Sequence, residues 1–270
     1  MKIPFTKAHG AGNDFLLTWE EAAPGADLPA FARAICERHT GVGADGWLLV
    51  SRPGPAGCHA AIRLFNSDGS SAEMSGNGTR CAAAFLLREG LHAAEIRIQT
   101  GAGPKDLRLL DHAGLRYTFE MNMGRAEVRD PRFVLSLSGG PREAAILWVG
   151  NPQCAVPVGN FDFDWRAMGA EIERHSQFPN RTNVSFVRQV DEHSIEVRFW
   201  ERGAGETMSS GTGSTGAAAA AVAWGMARSP VAVHTPAGRL DLRLEGEIFL
   251  TGPAEIVAVG EFVTSETDRR

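Results

Sequence analysis

Ser75-Gly76-Asn77-Gly78-Thr79-Arg80-Cys81-Ala82-Ala83-Ala84 and Ser210-Gly211-Thr212-Gly213-Ser214-Thr215-Gly216-Ala217-Ala218-Ala219 are two versions of one segment, 135 positions apart in a chain of 270. The match runs upstream without a gap: Arg63 meets Arg198, Phe65 meets Trp200, and Asn66 meets Glu201. Each copy is a Gly-rich turn that opens an apolar helix. The chain therefore reads as two similar halves. A small ligand held between such halves would be reached from two opposite sides, which suits chemistry needing one group on each face of a single atom.

Around the two turns the pattern alternates as strands do. Ala61–Phe65, Glu95–Gln99, Ser194–Trp200 and Arg239–Leu244 show strand-like alternation of apolar and polar residues, which predicts half-exposed, mainly antiparallel strands. Leu28–His39 and Asp164–His175 read as amphipathic helices. Gly78–Arg88 and Gly213–Met226 are apolar on every side, the mark of a buried helix. One buried helix per half, wrapped by its own strands, is the expected arrangement. The first half should end near Phe119 or Glu120. Ser51–Gly57 and Leu135–Arg142, rich in Gly and Pro, read as loops.

Composition narrows the function. The net charge is −5 and the Lys and Arg residues are scattered, so no nucleic-acid partner is expected. The longest apolar run, Ala217–Trp224, is far below the ~20 residues of a membrane span, so no membrane partner is expected either. Met1-Lys2-Ile3-Pro4-Phe5 carries no apolar signal segment, and a cytoplasmic protein is expected. Cys36, Cys58, Cys81 and Cys154 show no paired spacing and read as buried thiols.

A helix N-terminus presents free N–H groups and partial positive charge, and glycine lets a ligand approach the backbone. The two turns could thus receive carboxylates. Ser75 and Ser210 sit just before them, where a plain N-cap role would also account for a serine. Gly211–Gly216 spells GxGxxG, but Trp200 ends the preceding strand too early and no acidic residue follows at the expected distance, so a dinucleotide is not expected. The eight histidines form no metal-binding pattern, so no metal is expected. His9–Phe15, Gly150–Gln153, Asn180–Asn183 and Glu201–Thr207 are polar clusters that plain turns or a surface ion pair could explain. Taken with the turns, their asparagines, Glu201 and Arg202 would suit the carboxylate and ammonium of an amino acid.

These motifs resemble those of the diaminopimelate epimerase family, within the cofactor-independent amino-acid racemases. His9–Phe15 resembles HGxGNDF, Arg38–Gly46 RHxGIGADG, Asn66–Ser70 NxDGS, Gly150–Pro152 GNPH, Arg181–Val184 RxNV, and Glu201–Thr207 ERGxGET. The resemblance spans the chain. It implies an α/β (α+β) fold of two pseudo-symmetric lobes, each a curved, mainly antiparallel sheet around a central apolar helix, with a cleft between them. The lobes would be residues 1–119 and 120–255, with a strand at 256–270 returning to the first. The resemblance also implies conversion of LL- to meso-diaminopimelate without PLP, metal or nucleotide, and it allows a homodimer. Family substrate contacts carry over to Asn13, Asn66, Gly76, Asn77, Asn151, Asn183, Glu201, Arg202, Gly211 and Thr212.

In the family, two cysteines before the Gly-rich turns exchange the α-proton from opposite faces. Here those positions are Ser75 and Ser210, and Gln153 stands where the family has histidine. Cys81 and Cys154 match non-catalytic family cysteines. An aliphatic hydroxyl is a far weaker acid than a thiol and needs an adjacent base. Three expectations follow: an epimerase with Ser75 and Ser210 at the catalytic positions, an amino-acid-binding protein without turnover, or an isomerase using Glu73, Glu201 or Asp14 as carboxylate base.

Overall fold

A computed structural model describes residues 1–25, 27–55 and 57–263. The chain forms two compact units: Met1–Met121 with the segment from Pro253 onward, and Asn122–Gly252. Residues 264–270 of the expected C-terminal strand lie outside the described residues.

The first unit winds strands around one helix. Its elements are β1 (Lys2–Gly10), β2 (Asn13–Trp19), α1 (Leu28–Cys36), β3 (Gly46–Ser51), β4 (Ala60–Asn66), β5 (Ser71–Ala72), α2 (Gly76–Arg88), β6 (Glu95–Thr100), β7 (Gly103–Ala113) and β8 (Arg116–Gly124). β1 and β2 form a hairpin whose turn, Ala11-Gly12, has both residues at positive φ, the geometry that matches strand twist in a two-residue loop. β2 runs parallel to β3, β3 antiparallel to β4, β4 parallel to β6, and β6 antiparallel to β7, which pairs with β8. The last strand, β17 (Glu247–Val263), pairs with both β8 and β1, Lys2 standing opposite Val263. The strands thus close around α2. Every residue from Gly76 to Leu86 is buried, which explains why the part of this helix after Arg80, Cys81–Leu87, is apolar all round.

The second unit repeats the order: β9 (Glu127–Leu137), β10 (Gly140–Trp148), β11 (Pro152–Pro157), α3 (Trp165–Glu173), β12 (Asn183–Asp191), β13 (Ser194–Glu201), β14 (Gly205–Thr207), α4 (Gly211–Ala223), β15 (Val231–Thr235) and β16 (Gly238–Glu245). β11 runs parallel to β12 and β13 parallel to β15; the other neighbours are antiparallel. α4 is buried from Gly211 to Ala221. Leu135, Val156, Trp165, Ile172 and Phe186 form a second core between the sheet and α3.

The structure revises several boundaries. Both central helices begin two residues earlier than expected, at Gly76 and Gly211, because Ser75 and Ser210 cap them. α1 stops at Cys36, where Glu37 turns extended. Leu135–Arg142 is a hairpin tip rather than a loop: β9 continues to Leu137, and Gly140 takes φ 98° to restart the chain. A three-residue strand, β14, intervenes between β13 and the second turn.

Candidate active site

Each unit presents a polar cluster at the N-terminus of its buried helix. In the first, Ser75 is extended and its Oγ accepts the Gly78 N–H at 3.1 Å. Asn77 donates to Asn13 Oδ1 at 3.3 Å, and Asn13 donates to Asp45 Oδ2 at 2.7 Å. Gly10 makes room for this contact: a Cβ there would lie 3.2 Å from Asn77 Cα. Asn66 stands apart from these bonds. Its amide donates to Ser70 Oγ at 3.0 Å.

Arg80 was missed at the level of sequence. It is fully buried and donates to Asn77 Oδ1 at 2.5 Å, Gly76 O at 3.2 Å and Pro253 O at 3.1 Å. It thereby fixes both residues of the Gly76-Asn77 step. Burial pulls its guanidinium down to about 10. The signal was a charged residue inside an otherwise apolar helix, which burial makes costly unless its donors are satisfied.

The cluster of the second unit is more tightly connected. Ser210 Oγ accepts the Gly213 N–H at 3.1 Å and donates to Glu201 Oε1 at 2.6 Å. Asn151 donates to Thr212 Oγ1 at 3.4 Å and accepts from Gln153 Nε2 at 2.7 Å. Asn183 donates to Pro152 O at 3.1 Å and accepts the Arg202 N–H at 2.9 Å. The Arg202 guanidinium reaches Asn180 O at 3.3 Å. Thus Asn151, Asn183, Glu201, Arg202, Ser210 and Thr212 share one corner of this unit. Gln153 Oε1 and Ser209 Oγ are buried there without a partner.

The halves differ at their carboxylates. Glu201 follows its strand and meets Ser210; its repeat counterpart, Asn66, turns to Ser70. Among the described residues of the first unit, no carboxylate is hydrogen-bonded to Ser75. Asp14 is engaged elsewhere. Burial raises its carboxyl, but bonds to Arg38 and Lys7 outweigh that and hold it below the usual range. Glu73 is exposed. Of the three candidate carboxylates, Glu201 is the one hydrogen-bonded to a cap serine, Ser210, among the described residues.

Cys36, Cys81 and Cys154 lie inside the protein rather than at the turns, whereas Cys58, expected to be buried, is only half-buried in the loop before β4. Burial pushes the Cys36 and Cys81 thiols up to about 12 and raises Cys154 further. Such thiols are unreactive near neutral pH. Among the described residues, no group of three or more His, Cys, Asp or Glu is arranged to hold a metal, and no helix is long and apolar enough to cross a membrane.

The sequence profile of diaminopimelate epimerase matches residues 5–128 and 146–257. The chain belongs to the diaminopimelate epimerase family. A diaminopimelate epimerase from Paraburkholderia xenovorans (strain LB400) is 39% identical over 97% of this chain and 98% of its own. One from Pelotomaculum thermopropionicum is 39% identical over 96% and 98%. Among solved structures, a hydroxyproline epimerase from Agrobacterium vitis with bound trans-4-hydroxy-L-proline superposes with a TM-score of 0.77 at 14% identity, covering 99% of this chain and 94% of that one. That likeness is one of fold.

The packing at the second turn makes a direct prediction. A Cβ on Gly213 would stand 2.9 Å from Phe199 Cδ1 and 2.9 Å from Ser210 Oγ. Gly213→Ala should destabilise the protein by about 1–3 kcal/mol, the range for overpacking a core. Gly216→Ala should cost far less, because its Cβ would meet Gln153 at 3.4 Å and Val149 at 3.7 Å, both ordinary van der Waals contacts. Denaturant unfolding of the two variants checks this; equal midpoints would refute it.

Proposed function

We propose that this protein is an amino-acid isomerase that inverts an α-carbon, converting LL- to meso-diaminopimelate, with Glu201 as the base that activates Ser210. The observation that carries the reading is the 2.6 Å hydrogen bond from Ser210 Oγ to Glu201 Oε1. It supplies the adjacent base that a hydroxyl requires.

In this reading the substrate carboxylate is met by N–H groups at the Gly76-Asn77 and Gly211-Thr212 turns. Arg202 and the side chains of Asn13, Asn66, Asn151 and Asn183 recognise its remaining polar groups. Ser210 Oγ takes the α-proton as its own proton passes to Glu201. The electron pair left on carbon delocalises into the substrate carboxylate, whose growing charge the helix N-termini stabilise. Inversion then requires a proton from the opposite face, the role this reading assigns to Ser75. The reaction would serve the supply of lysine and peptidoglycan precursors in the cytoplasm.

A second reading rests on the asymmetry of the two halves. If Ser75 acts only as a helix cap, the protein is a one-base enzyme that exchanges the α-proton from a single face and does not invert the centre. Incubating the protein with LL- and with meso-diaminopimelate in deuterated water separates the outcomes by NMR. Exchange with interconversion supports inversion. Exchange of one stereoisomer without interconversion supports the one-base enzyme. Binding by calorimetry without exchange overturns both in favour of an amino-acid-binding protein.

A further inference from the structure

Glu173, the last residue of α3, is a buried carboxylate with no part in the chemistry above. Its Oε2 accepts the Trp200 indole N–H at 3.1 Å, and its Oε1 accepts the Gly203 backbone N–H at 2.8 Å. Trp200 and Gly203 flank Glu201-Arg202. One carboxylate therefore grips both shoulders of the turn that carries these two residues.

The grip is braced from three sides. Arg181 Nη2 pairs with Glu173 Oε1 at 2.5 Å, and Arg181 itself takes a left-handed φ of 61°. The backbone returns to the same residue, with Thr182 N donating to Glu173 O at 3.3 Å. Trp200 is seated on α3 at Gly169, where a Cβ would come 2.8 Å from Trp200 Cβ.

We infer that Glu173 is a positioning residue that sets the Glu201–Ser210 contact. The inference rests on the reading of Glu201 as the base. Its physical basis is the arrangement of donors. A buried ion pair is a weak source of stability, and an apolar core of similar volume often serves as well. A carboxylate differs from such a core in having two acceptor oxygens in a fixed fork, and here each oxygen receives one shoulder of the turn. Holding both ends leaves the intervening pair little freedom. A displacement of about 1 Å at a reacting group can reduce a rate by ~10²-fold.

Glu173→Gln tests the fork with nearly unchanged shape. An amide has one acceptor oxygen, so either Trp200 or Gly203 faces its NH2 group. Trp200→Phe removes the indole donor alone and keeps the ring packing. For both variants the rate of α-proton exchange should fall by ~10–10²-fold, with ligand affinity changed less than threefold. In Glu173→Gln either the Gly203 amide or the Trp200 indole N–H, whichever faces the new NH2 group, should lose protection in hydrogen exchange. Should Glu173→Gln fail to fold, Trp200→Phe still reads the same effect on kcat. A lowered melting temperature with kcat and protection at both donors intact would overturn the proposal and leave Glu173 a stability residue. The amide measurement needs no turnover. A parent protein without exchange activity would overturn the reading of Glu201 as base, while unchanged protection at both Gly203 and the Trp200 indole would overturn the grip itself.

Discussion

Glu201→Gln is expected to slow α-proton exchange by about 10²–10⁴-fold, the usual contribution of a general base, while the protein stays folded and still binds its ligand. The amide keeps the size of the side chain and an oxygen that can accept from Ser210 Oγ, now at 2.6 Å from the carboxylate. It cannot take a proton. Ser210 then has no base, and its hydroxyl alone does not deprotonate carbon at a useful rate. Glu201 lies on a half-buried shoulder rather than in the core, so the change should disturb stability little. Calorimetry with diaminopimelate and the exchange rate in deuterated water check the two halves of this expectation. An unchanged exchange rate would remove Glu201 from the chemistry. A lost affinity with a proportionate loss of rate would return it to a purely binding role.

Much of this arrangement is legible in the sequence. The 135-residue offset between Ser75 and Ser210 located both buried helices, because glycine turns and helix caps are decided by neighbours in sequence. The paired structure then follows element by element: α2 and α4 start at Gly76 and Gly211 and end at Arg88 and Ala223. What escaped were features set by distant partners. Glu173 looked like one more acidic residue at the end of an amphipathic helix, since Trp200 and Gly203 meet it only after the chain has folded. Arg80 carried no role in the sequence, because its contact with Pro253, 173 residues away, exists only in the fold. β14 was too short to alternate, and the Leu135–Arg142 tip carried the Gly and Pro residues that usually mark a loop. The pairing of Glu201 with Asn66 in the repeat was visible, but its consequence was not. A carboxylate in one copy and an amide in the other makes two similar halves chemically unequal.

That inequality shapes the second expected result, which comes from restoring thiols. Ser75→Cys with Ser210→Cys should raise the rate of inversion by at least ~10²-fold, the lower bound for a well-placed acid–base group. A free thiol ionises near pH 8.5, within reach of neutral solution. The two positions should not behave alike. At position 75 the sulfur would face the Gly78 N–H and the positive end of α2, with no carboxylate bonded to it among the described residues of its unit. This setting favours thiolate, the base. At position 210 the sulfur would lie beside the Glu201 carboxylate, which disfavours a second negative charge and keeps the thiol protonated as the acid. Iodoacetamide should therefore inactivate the Ser75→Cys protein faster than the Ser210→Cys protein. The buried Cys36 and Cys81, both pushed up to about 12, should react slowly in all variants. Each single variant should exchange the α-proton more readily than it inverts the centre, because inversion needs a donor on the far face. Gln153→His belongs in the same series. Gln153 Oε1 is buried without a partner while Nε2 is committed to Asn151, so this position is poorly matched to its present side chain. If the double and triple variants fold yet do not interconvert the stereoisomers of diaminopimelate, the divergence extends beyond the acid–base pair, and the one-base or binding reading takes its place.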